Sequence, residues 1–131
     1  DITNLPFNNN LFDLIICNHV LEHIQDDIMA IKEIYRVLKK NGVAIMQIPI
    51  DLKRLKTFED SEIKSNKKRE ELFGQYDHVR IYGKDFFDRL GSVGFKTKRI
   101  DYTKDLSEEE IKRFSIIKGE IIPIGIKWDN K

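Results

Sequence analysis

The feature that most constrains this chain is the stretch 11–24, where an acidic turn residue leads into an apolar run and then into polar residues. Residues 14–17 are all apolar, a pattern typical of a strand buried on both faces, as in a parallel sheet. Ligands of open parallel sheets bind just beyond the carboxyl ends of the strands. The sequence therefore places the polar side chains that follow the run at the mouth of a site: His19, Glu22 and His23.

The composition is that of one globular domain without a strongly charged surface. The chain has 131 residues, 40% of them hydrophobic and 34% charged, and its net charge is +1. This balance gives no electrostatic argument for a nucleic-acid or membrane partner. No apolar run approaches the roughly 20 residues that span a bilayer, and no stretch has the pattern of a secretory signal. The single Cys17 excludes an internal disulfide and fits a reducing compartment, which predicts a cytoplasmic protein.

A long amphipathic helix is the clearest secondary-structure prediction. Apolar residues recur at spacings of three and four over residues 26–40, which places them on one helical face. Asp26 or Asp27 can cap the amino end. The dipeptide Asn41-Gly42 can end the helix in the left-handed conformation.

Strands flank this helix and recur later in the chain. A strand, a helix and a strand in this order imply two parallel strands joined by a right-handed crossover. Strands are predicted over residues 12–17, 43–48, 95–102 and 121–128, and short helices over 85–93 and 107–114. Pro123 within the last strand indicates an edge position or a bulge, because proline cannot donate to a sheet ladder.

Residues 51–80 differ in character from the rest of the chain. Basic and acidic side chains are interleaved along the whole segment. One interpretation is a solvated, partly helical excursion. The other is a lid over the site, a role that mobile segments at the mouth of a site often have. The two interpretations are compatible.

Several motifs, in their order and spacing, resemble those of the class I S-adenosylmethionine-dependent methyltransferases. They are Asp1-Ile2-x-x-Leu5-Pro6-Phe7, Phe12-Asp13-Leu14-Ile15, His19-Val20-Leu21-Glu22-His23-Ile24 and Arg36-Val37-Leu38-Lys39-x-x-Gly42. A later block, Phe73-Gly74-Gln75-Tyr76-Asp77-His78-Val79-Arg80, resembles some of these enzymes as well. The resemblance implies an α/β fold, the C-terminal half of a Rossmann-like sheet with helices on its faces. Of the family strand order 3-2-1-4-5-7-6, the chain would supply strands 4, 5, 6 and 7, the last one antiparallel.

Two parts of the family pattern have no counterpart in the chain. They are the glycine-rich loop after the first strand and the acidic residue that holds the cofactor ribose, and the resemblance places both before Asp1. We therefore expect residues 1–131 to be a single partial methyltransferase domain of a longer parent chain, with 51–80 as a lid-like insertion. We expect this piece alone to be inactive.

The resemblance also implies roles for individual residues toward S-adenosylmethionine. Asp1 matches the acidic residue that accepts a hydrogen bond from the adenine amino group, and the Ile2 backbone N–H faces the ring. Asn18 matches a position whose backbone carbonyl faces the methionine moiety. His19 matches a position beside the transferable methyl group or the acceptor. The plain alternative for Asp1 is a surface turn residue.

Methyl transfer to a hydroxyl group requires removal of the hydroxyl proton, by a general base or by a metal ion that lowers its pKa. On one helical turn, His19, Glu22 and His23 would point the same way, and imidazoles with a carboxylate suit a divalent cation. His78 could arrive from the lid as a fourth ligand. Metal-dependent O-methyltransferases carry a similar pattern. Alternatively, His19 or His78 acts as a metal-free base, or Glu22 caps a helix beside a buried histidine.

Two functions from different classes follow from these observations. The first is methyl transfer to a small-molecule acceptor. The second is a non-catalytic binding or assembly module that has lost cofactor binding. In either case the strand over residues 12–17 would lack a partner on one side, and an apolar sheet edge associates readily. We therefore expect a homo-oligomer that pairs through this edge.

Overall fold

The first helix and the strands beside it form the parallel crossover unit that the sequence predicts. The structure is a computed structural model, and it describes residues 1–128. The strands are β1 (Phe12–Ile16), β2 (Leu38–Ile45), β3 (Phe58–Glu59), β4 (Arg80–Ile81), β5 (Phe95–Ile100) and β6 (Ile122–Lys127). The α-helices are α1 (Asp27–Val37), α2 (Asn66–Phe73), α3 (Phe86–Val93) and α4 (Glu108–Arg113). β1 and β2 pair in parallel, with Leu14 opposite Val43.

The main sheet has four strands in the order β1-β2-β6-β5. β6 lies between β2 and β5 and is antiparallel to both. This arrangement confirms the predicted α/β fold and its antiparallel last strand, and it has the pattern 4-5-7-6 that the resemblance implies. The site therefore belongs at the end of the sheet where the parallel strands β1 and β2 finish.

The core lies between the sheet and the helices α1 and α3, which contact β2, β5 and each other. Its fully buried members include Leu21, Ile31, Ile34, Tyr82 and Phe86. The predicted N-cap of α1 is confirmed, since the Asp26 carboxylate accepts a hydrogen bond from the Met29 backbone N–H at 2.9 Å.

The predicted carboxyl end of the first helix is wrong by three residues. α1 ends at Val37, and Leu38 is already in extended conformation and pairs with Phe12 of β1. Leu38 is fully buried, so its helical spacing reflects burial rather than helix. Asn41 does take the left-handed conformation, with φ of 61°, but within β2 at an irregularity of the β1–β2 pairing.

Two further expectations about the strands are corrected. β1 is not buried on both faces, because Leu14 and Ile16, which lie on the same face, are 53% and 63% exposed. Pro123 does not mark an edge, because β6 is paired on both sides. Proline is tolerated there because it lies at the second residue of β6, and its carbonyl still accepts a hydrogen bond from Met46 N–H at 3.0 Å.

The segment 51–80 folds into a small unit of its own. β3 and β4 pair antiparallel, with Phe58 opposite Ile81, and α2 lies between them in the chain. The Phe73 ring of α2 contacts the Phe58 ring at 5.6 Å between centroids. Within residues 1–128, no helix has the length and apolar character that crossing a membrane requires.

Candidate active site

The loop after β1 carries most of the residues that the sequence analysis selects. The backbone N–H groups of Cys17 and His19 donate to the carbonyls of Ile45 and Gln47, both at 2.8 Å, so the loop continues along the carboxyl end of β2. His19 takes a left-handed conformation, with φ of 53°. Residues 21–23 then form a single 3-10 turn. The expected helical turn beginning at His19 is therefore wrong, because His19 precedes the turn in a different backbone conformation.

The structure nevertheless brings the selected side chains together. Glu22, His23 and His78 each place a potential metal-binding atom within 4.8 Å of the others. The rings of His23 and His78 meet edge to face at 4.7 Å between centroids. His19 approaches from the other side, with Nδ1 at 3.3 Å from Glu22 Oε1. His78 comes from the segment 51–80, as the sequence analysis expects.

Glu22 is the central group of this cluster. It is 2% exposed, and within residues 1–128 neither carboxylate oxygen accepts a hydrogen bond of good geometry, although His19 Nδ1 lies 3.3 Å from Oε1. A buried carboxylate without hydrogen bonds is costly, by roughly 1–3 kcal/mol or more for a charged group. The surrounding imidazoles and the carboxylate form a donor set that suits a divalent cation. The cluster therefore has both the chemistry and the unsatisfied charge that a cation would compensate.

Asp77 orients one of the imidazoles, and the sequence analysis did not select it. Its carboxylate oxygen lies at 3.2 Å from His23 Nδ1. A carboxylate at Nδ1 favours a proton on that nitrogen and leaves Nε2 free as a ligand or base, an arrangement common around metal-binding histidines. The adjacency of Asp77 to His78 in the sequence was the only available signal.

Two cavities are lined by residues of this cluster or by His19 beside it. The larger, about 380 Å³, is lined by His19, Ile48, Ile50, Leu52, Ile117 and Ile121 among others. The smaller, about 80 Å³, is lined by Glu22 and His78 together with residues of the segment 51–80. Pro49 lines both cavities. A largely apolar chamber with one imidazole in its wall thus lies next to the carboxylate–imidazole cluster.

Two of the other residues selected for the cofactor, Ile2 and Asn18, lie near the same end of the sheet. Ile2 lines a groove together with Ile16, Cys17 and Val20, which surround the carboxyl end of β1. Asn18 is exposed, and its side-chain oxygen accepts a hydrogen bond from Gln47 N–H at 3.4 Å. The Oδ1 atom of Asp1 accepts hydrogen bonds from the backbone and hydroxyl of Thr3, at 2.9 and 3.0 Å. Asp1 therefore does cap its own turn, which leaves Oδ2 for other partners.

Cys17 directly follows β1 and is buried in the core. Burial, and then the nearby Glu22 carboxylate, raise the pKa of its thiol to about 11. The thiol is therefore neutral at physiological pH and serves as a small apolar core residue.

A buried ionic network behind the site was not anticipated from the sequence. Arg80 and Asp27 are both buried, and Arg89 Nη1 and Tyr82 Oη donate to the Asp27 carboxylate at 2.9 and 2.7 Å. Burial, and then the Asp27 charge, raise the pKa of Tyr82 far above its usual range. Burial alone would raise the pKa of Glu59, but hydrogen bonds from Arg89 and Arg80 lower it. These residues are far apart in the sequence, so only the fold brings them together.

Comparison with known proteins shows which families this chain is similar to. Residues 1–46 match the family model of a methyltransferase domain. Over 88 residues the chain is 36% identical to an uncharacterized protein of Methanocaldococcus jannaschii, MJ0638, a match that covers 66% of this chain. Over 45 residues it is 40% identical to the demethylmenaquinone methyltransferase of Staphylococcus epidermidis, which covers 34% of this chain. The chain spans only 33% and 19% of the lengths of these two relatives.

The fold is that of solved methyltransferase structures. A SAM-dependent methyltransferase of Thermotoga maritima superposes with a TM-score of 0.56 at 22% identity, and the match covers 96% of this chain and 61% of that protein. The likeness extends well beyond the residues matched by the family model. The described residues therefore have the fold of class I methyltransferases, and residues 1–46 also match the methyltransferase domain model.

Proposed function

We propose that this chain takes part in S-adenosylmethionine-dependent methyl transfer to a small-molecule acceptor, as part of a longer parent chain. The observation that carries the proposal is the position of the carboxylate–imidazole cluster: Glu22 and its three histidines lie at the carboxyl end of β1, beside an apolar cavity, in a methyltransferase fold. Because the match spans only part of each relative's length, we propose that the 131 residues alone do not turn over.

The cofactor is proposed to lie along the open side of the β1 carboxyl end. Asp1 Oδ2 would accept from the adenine amino group, and the Ile2 backbone N–H would face the ring. The Asn18 carbonyl would face the methionine moiety. When bound, S-adenosylmethionine supplies an electrophilic methyl group on a sulfonium. The contribution of the chain is then to orient the acceptor and to exclude water from it.

His19 is proposed as the general base toward the acceptor. Its side chain is exposed and lines the larger cavity, while its Nδ1 faces the Glu22 carboxylate. That contact favours a proton on Nδ1 and leaves Nε2 free to accept the proton of an acceptor hydroxyl. His78 is the alternative base. His19 lines the larger cavity, whereas His78 lines the smaller one. We therefore assign His78 a lesser role in proton transfer.

A divalent cation is the alternative way to activate a hydroxyl acceptor. We propose that Glu22, His23 and His78 would hold it, with His19 as a fourth ligand. The buried carboxylate without hydrogen bonds and the 80 Å³ cavity support this assignment. When bound, such an ion lowers the pKa of a hydroxyl group that coordinates it.

The segment 51–80 is proposed to act as a lid. It contributes His78 to the cluster and Phe73 to the wall of the smaller cavity. Its position over the cluster would exclude water when the site is filled.

The open edge of β1 is proposed to pair with a second copy of this chain. Within residues 1–128, no strand pairs with the outer edge of β1, and Leu14 and Ile16 expose apolar surface on one face of this edge strand. Light scattering of the 131-residue chain should give a dimer mass, and Ile16→Lys should shift it toward the monomer. A monomer at the same concentration for the unaltered chain would contradict this proposal.

The cofactor proposal is tested by mapping S-adenosylhomocysteine on the backbone amides by NMR, with the full-length protein. We expect shifts at Ile2, Asn18 and His19, and weaker binding for Asp1→Asn. Asp88→Asn is a matched control, because Asp88 is an exposed aspartate in the first turn of α3, away from these residues in the sequence. Shifts confined to other parts of the domain would overturn the assigned cofactor residues.

A further inference from the structure

Arg80 is a buried arginine whose guanidinium is almost fully used by hydrogen bonds. It is 2% exposed. Its Nε donates to Glu59 Oε2 at 2.8 Å. Its two terminal nitrogens donate to three backbone carbonyls, at 2.9 Å to Leu21, at 2.8 Å to Gln25, and to Ile24. A buried side chain that binds this many carbonyls fixes the backbone that carries them.

Those carbonyls belong to the first residue of the turn that carries Glu22 and His23 and to the two residues that follow the turn. The turn is a single 3-10 turn over residues 21–23 without a side-chain cap, so it makes few hydrogen bonds of its own. The neighbouring Val79 N–H donates to the Glu22 carbonyl at 2.9 Å. β4 and the residues just before it therefore hold this turn from the side of the segment 51–80.

The same stretch of chain carries the third member of the cluster. His78 lies two residues before Arg80, and its ring contacts the ring of His23. Arg80 thus joins the turn that carries Glu22 and His23 to the stretch that carries His78. Arg80, Glu22 and His78 all line the 80 Å³ cavity.

We propose that Arg80 is the positioning residue of the cation-binding cluster. It holds Glu22, His23 and His78 at ligand distance from one another through backbone carbonyls, without touching the cation. The inference rests on the proposed cation site, and it adds a residue that sets the geometry of that site.

The guanidinium is required for its shape as well as its charge. Its planar fork presents donors in several fixed directions, whereas a lysine ammonium is a compact charge on a flexible stem. Arg80→Lys would keep a positive charge near Glu59 and near Asp27, whose Oδ1 lies 3.9 Å from Arg80 Nη2. It would lose the simultaneous contacts to three carbonyls. This variant therefore separates geometry from charge.

Arg89 offers a matched control. It donates to the same two carboxylates, at 2.9 Å to Asp27 Oδ2 and 2.6 Å to Glu59 Oε1. Its guanidinium donates to these carboxylates and not to the carbonyls of the turn. Arg89→Lys therefore disturbs the same ionic network and leaves the turn held by Arg80.

The experiment is a calorimetric titration of Zn²⁺ into the protein and the two variants. We expect Arg80→Lys to weaken Zn²⁺ binding by about 10- to 100-fold, the usual effect of losing a group that orients metal ligands. We expect Arg89→Lys to bind like the unaltered protein, even if both variants lower Tm. Equal affinities for all three proteins, or equal weakening in both variants, would overturn the inference. If Arg80→Lys does not fold, Arg80→Gln replaces it with the same expectation.

A second readout keeps this inference distinct from the cation proposal. If the unaltered protein does not bind Zn²⁺, the cation proposal fails. The nuclear Overhauser contact between the rings of His23 and His78 then reports on positioning alone. Its loss in Arg80→Lys and retention in Arg89→Lys would support the positioning role. Its retention in both variants would overturn it.

Discussion

Glu22 combines burial with a carboxylate whose oxygens accept no hydrogen bond from residues 1–128. Such a group lowers the stability of the fold unless a ligand compensates its charge. Sites of this kind are retained for function rather than for stability. The three histidines around Glu22 are the direct reason to propose a bound cation as that function.

Replacement of Glu22 should therefore separate stability from function. At pH 8 and without metal, we expect Glu22→Gln to raise the free energy of unfolding by about 1 kcal/mol, because a buried charge without a well-formed hydrogen bond is removed. At a hundred times its Kd, Zn²⁺ should stabilise the unaltered protein by about 2.7 kcal/mol and the variant not at all. Urea unfolding with and without Zn²⁺ measures both effects.

The exposed Glu62 provides the control for this comparison, since Glu62→Gln removes the same charge from the surface. It should leave both quantities unchanged. A loss of stability in Glu22→Gln without metal, or an unchanged response to Zn²⁺, would show that Glu22 has a structural role instead.

Glu33 gives a pH-dependent prediction. Its carboxylate accepts hydrogen bonds from Arg36 Nε at 2.7 Å and from Leu5 N–H at 2.8 Å. The hydrogen bond from Arg36, and then that from Leu5, lower the pKa of Glu33 to about 2. Because the folded pKa lies below the unfolded one, Glu33 stabilises the fold above about pH 4.5 and loses this contribution as the pH falls toward 2.

We therefore expect Glu33→Gln to lower the stability at pH 7 and to match the unaltered protein near pH 2. Urea unfolding of both proteins across this pH range measures the difference. Glu109→Gln, at an exposed position of α4, should show no such convergence. A difference that persists unchanged to pH 2 would mean that Glu33 is not ionised in its pair with Arg36.

The candidate site was largely accessible from the sequence at the residue scale. His19, Glu22, His23 and His78 could be selected because their types suit a cation or a base and because they follow a buried apolar run. Asp77 and Arg80 could not be assigned their roles, because His23 and the carbonyls that Arg80 binds lie more than fifty positions away and only the fold brings them together.

The elements show where sequence periodicity succeeds and where it fails. α1 was predictable because its apolar face repeats over several turns. Its end was not, because Leu38 fits the helical spacing and yet is buried as a strand residue. β3 and β4 have two residues each and exist only through their mutual pairing, so no local pattern could predict them.

Gly83 follows the segment 51–80 and lies close against the backbone of its first residues. A Cβ at this position would lie 2.7 Å from the Lys56 carbonyl carbon and 2.9 Å from the Arg54 carbonyl oxygen, both backbone atoms. We expect Gly83→Ala to lower the free energy of unfolding by about 1–3 kcal/mol, because the two backbone segments must separate. Limited proteolysis should show faster cleavage near residues 54–57.

Gly91 is the matched control, since a Cβ there meets no atom within 4 Å. It lies within α3, so Gly91→Ala should raise the stability by about 0.5–1 kcal/mol. If Gly83→Ala were as stable as the unaltered protein, the close approach of these segments would not be a constraint on the fold.

At the scale of the whole molecule, the sheet order was predictable because the motifs at the front of the chain resemble a known family. The order β1-β2-β6-β5 is the one that this resemblance implies. It places β6 inside the sheet, whereas Pro123 alone indicated an edge position or a bulge. The sequence could not show that one face of β1 would lie open, because its apolar run has the pattern of a fully buried strand.

The central claim is that this methyltransferase-like domain presents a carboxylate–imidazole cluster to a cofactor and an acceptor at the end of its sheet. The most direct test is a calorimetric titration of S-adenosylmethionine into the full-length protein and into the 131-residue chain, with and without Zn²⁺. We expect saturable binding by the full-length protein and weaker binding by the 131-residue chain. Absence of binding by the full-length protein under both conditions would contradict the claim and favour a non-catalytic binding or assembly module.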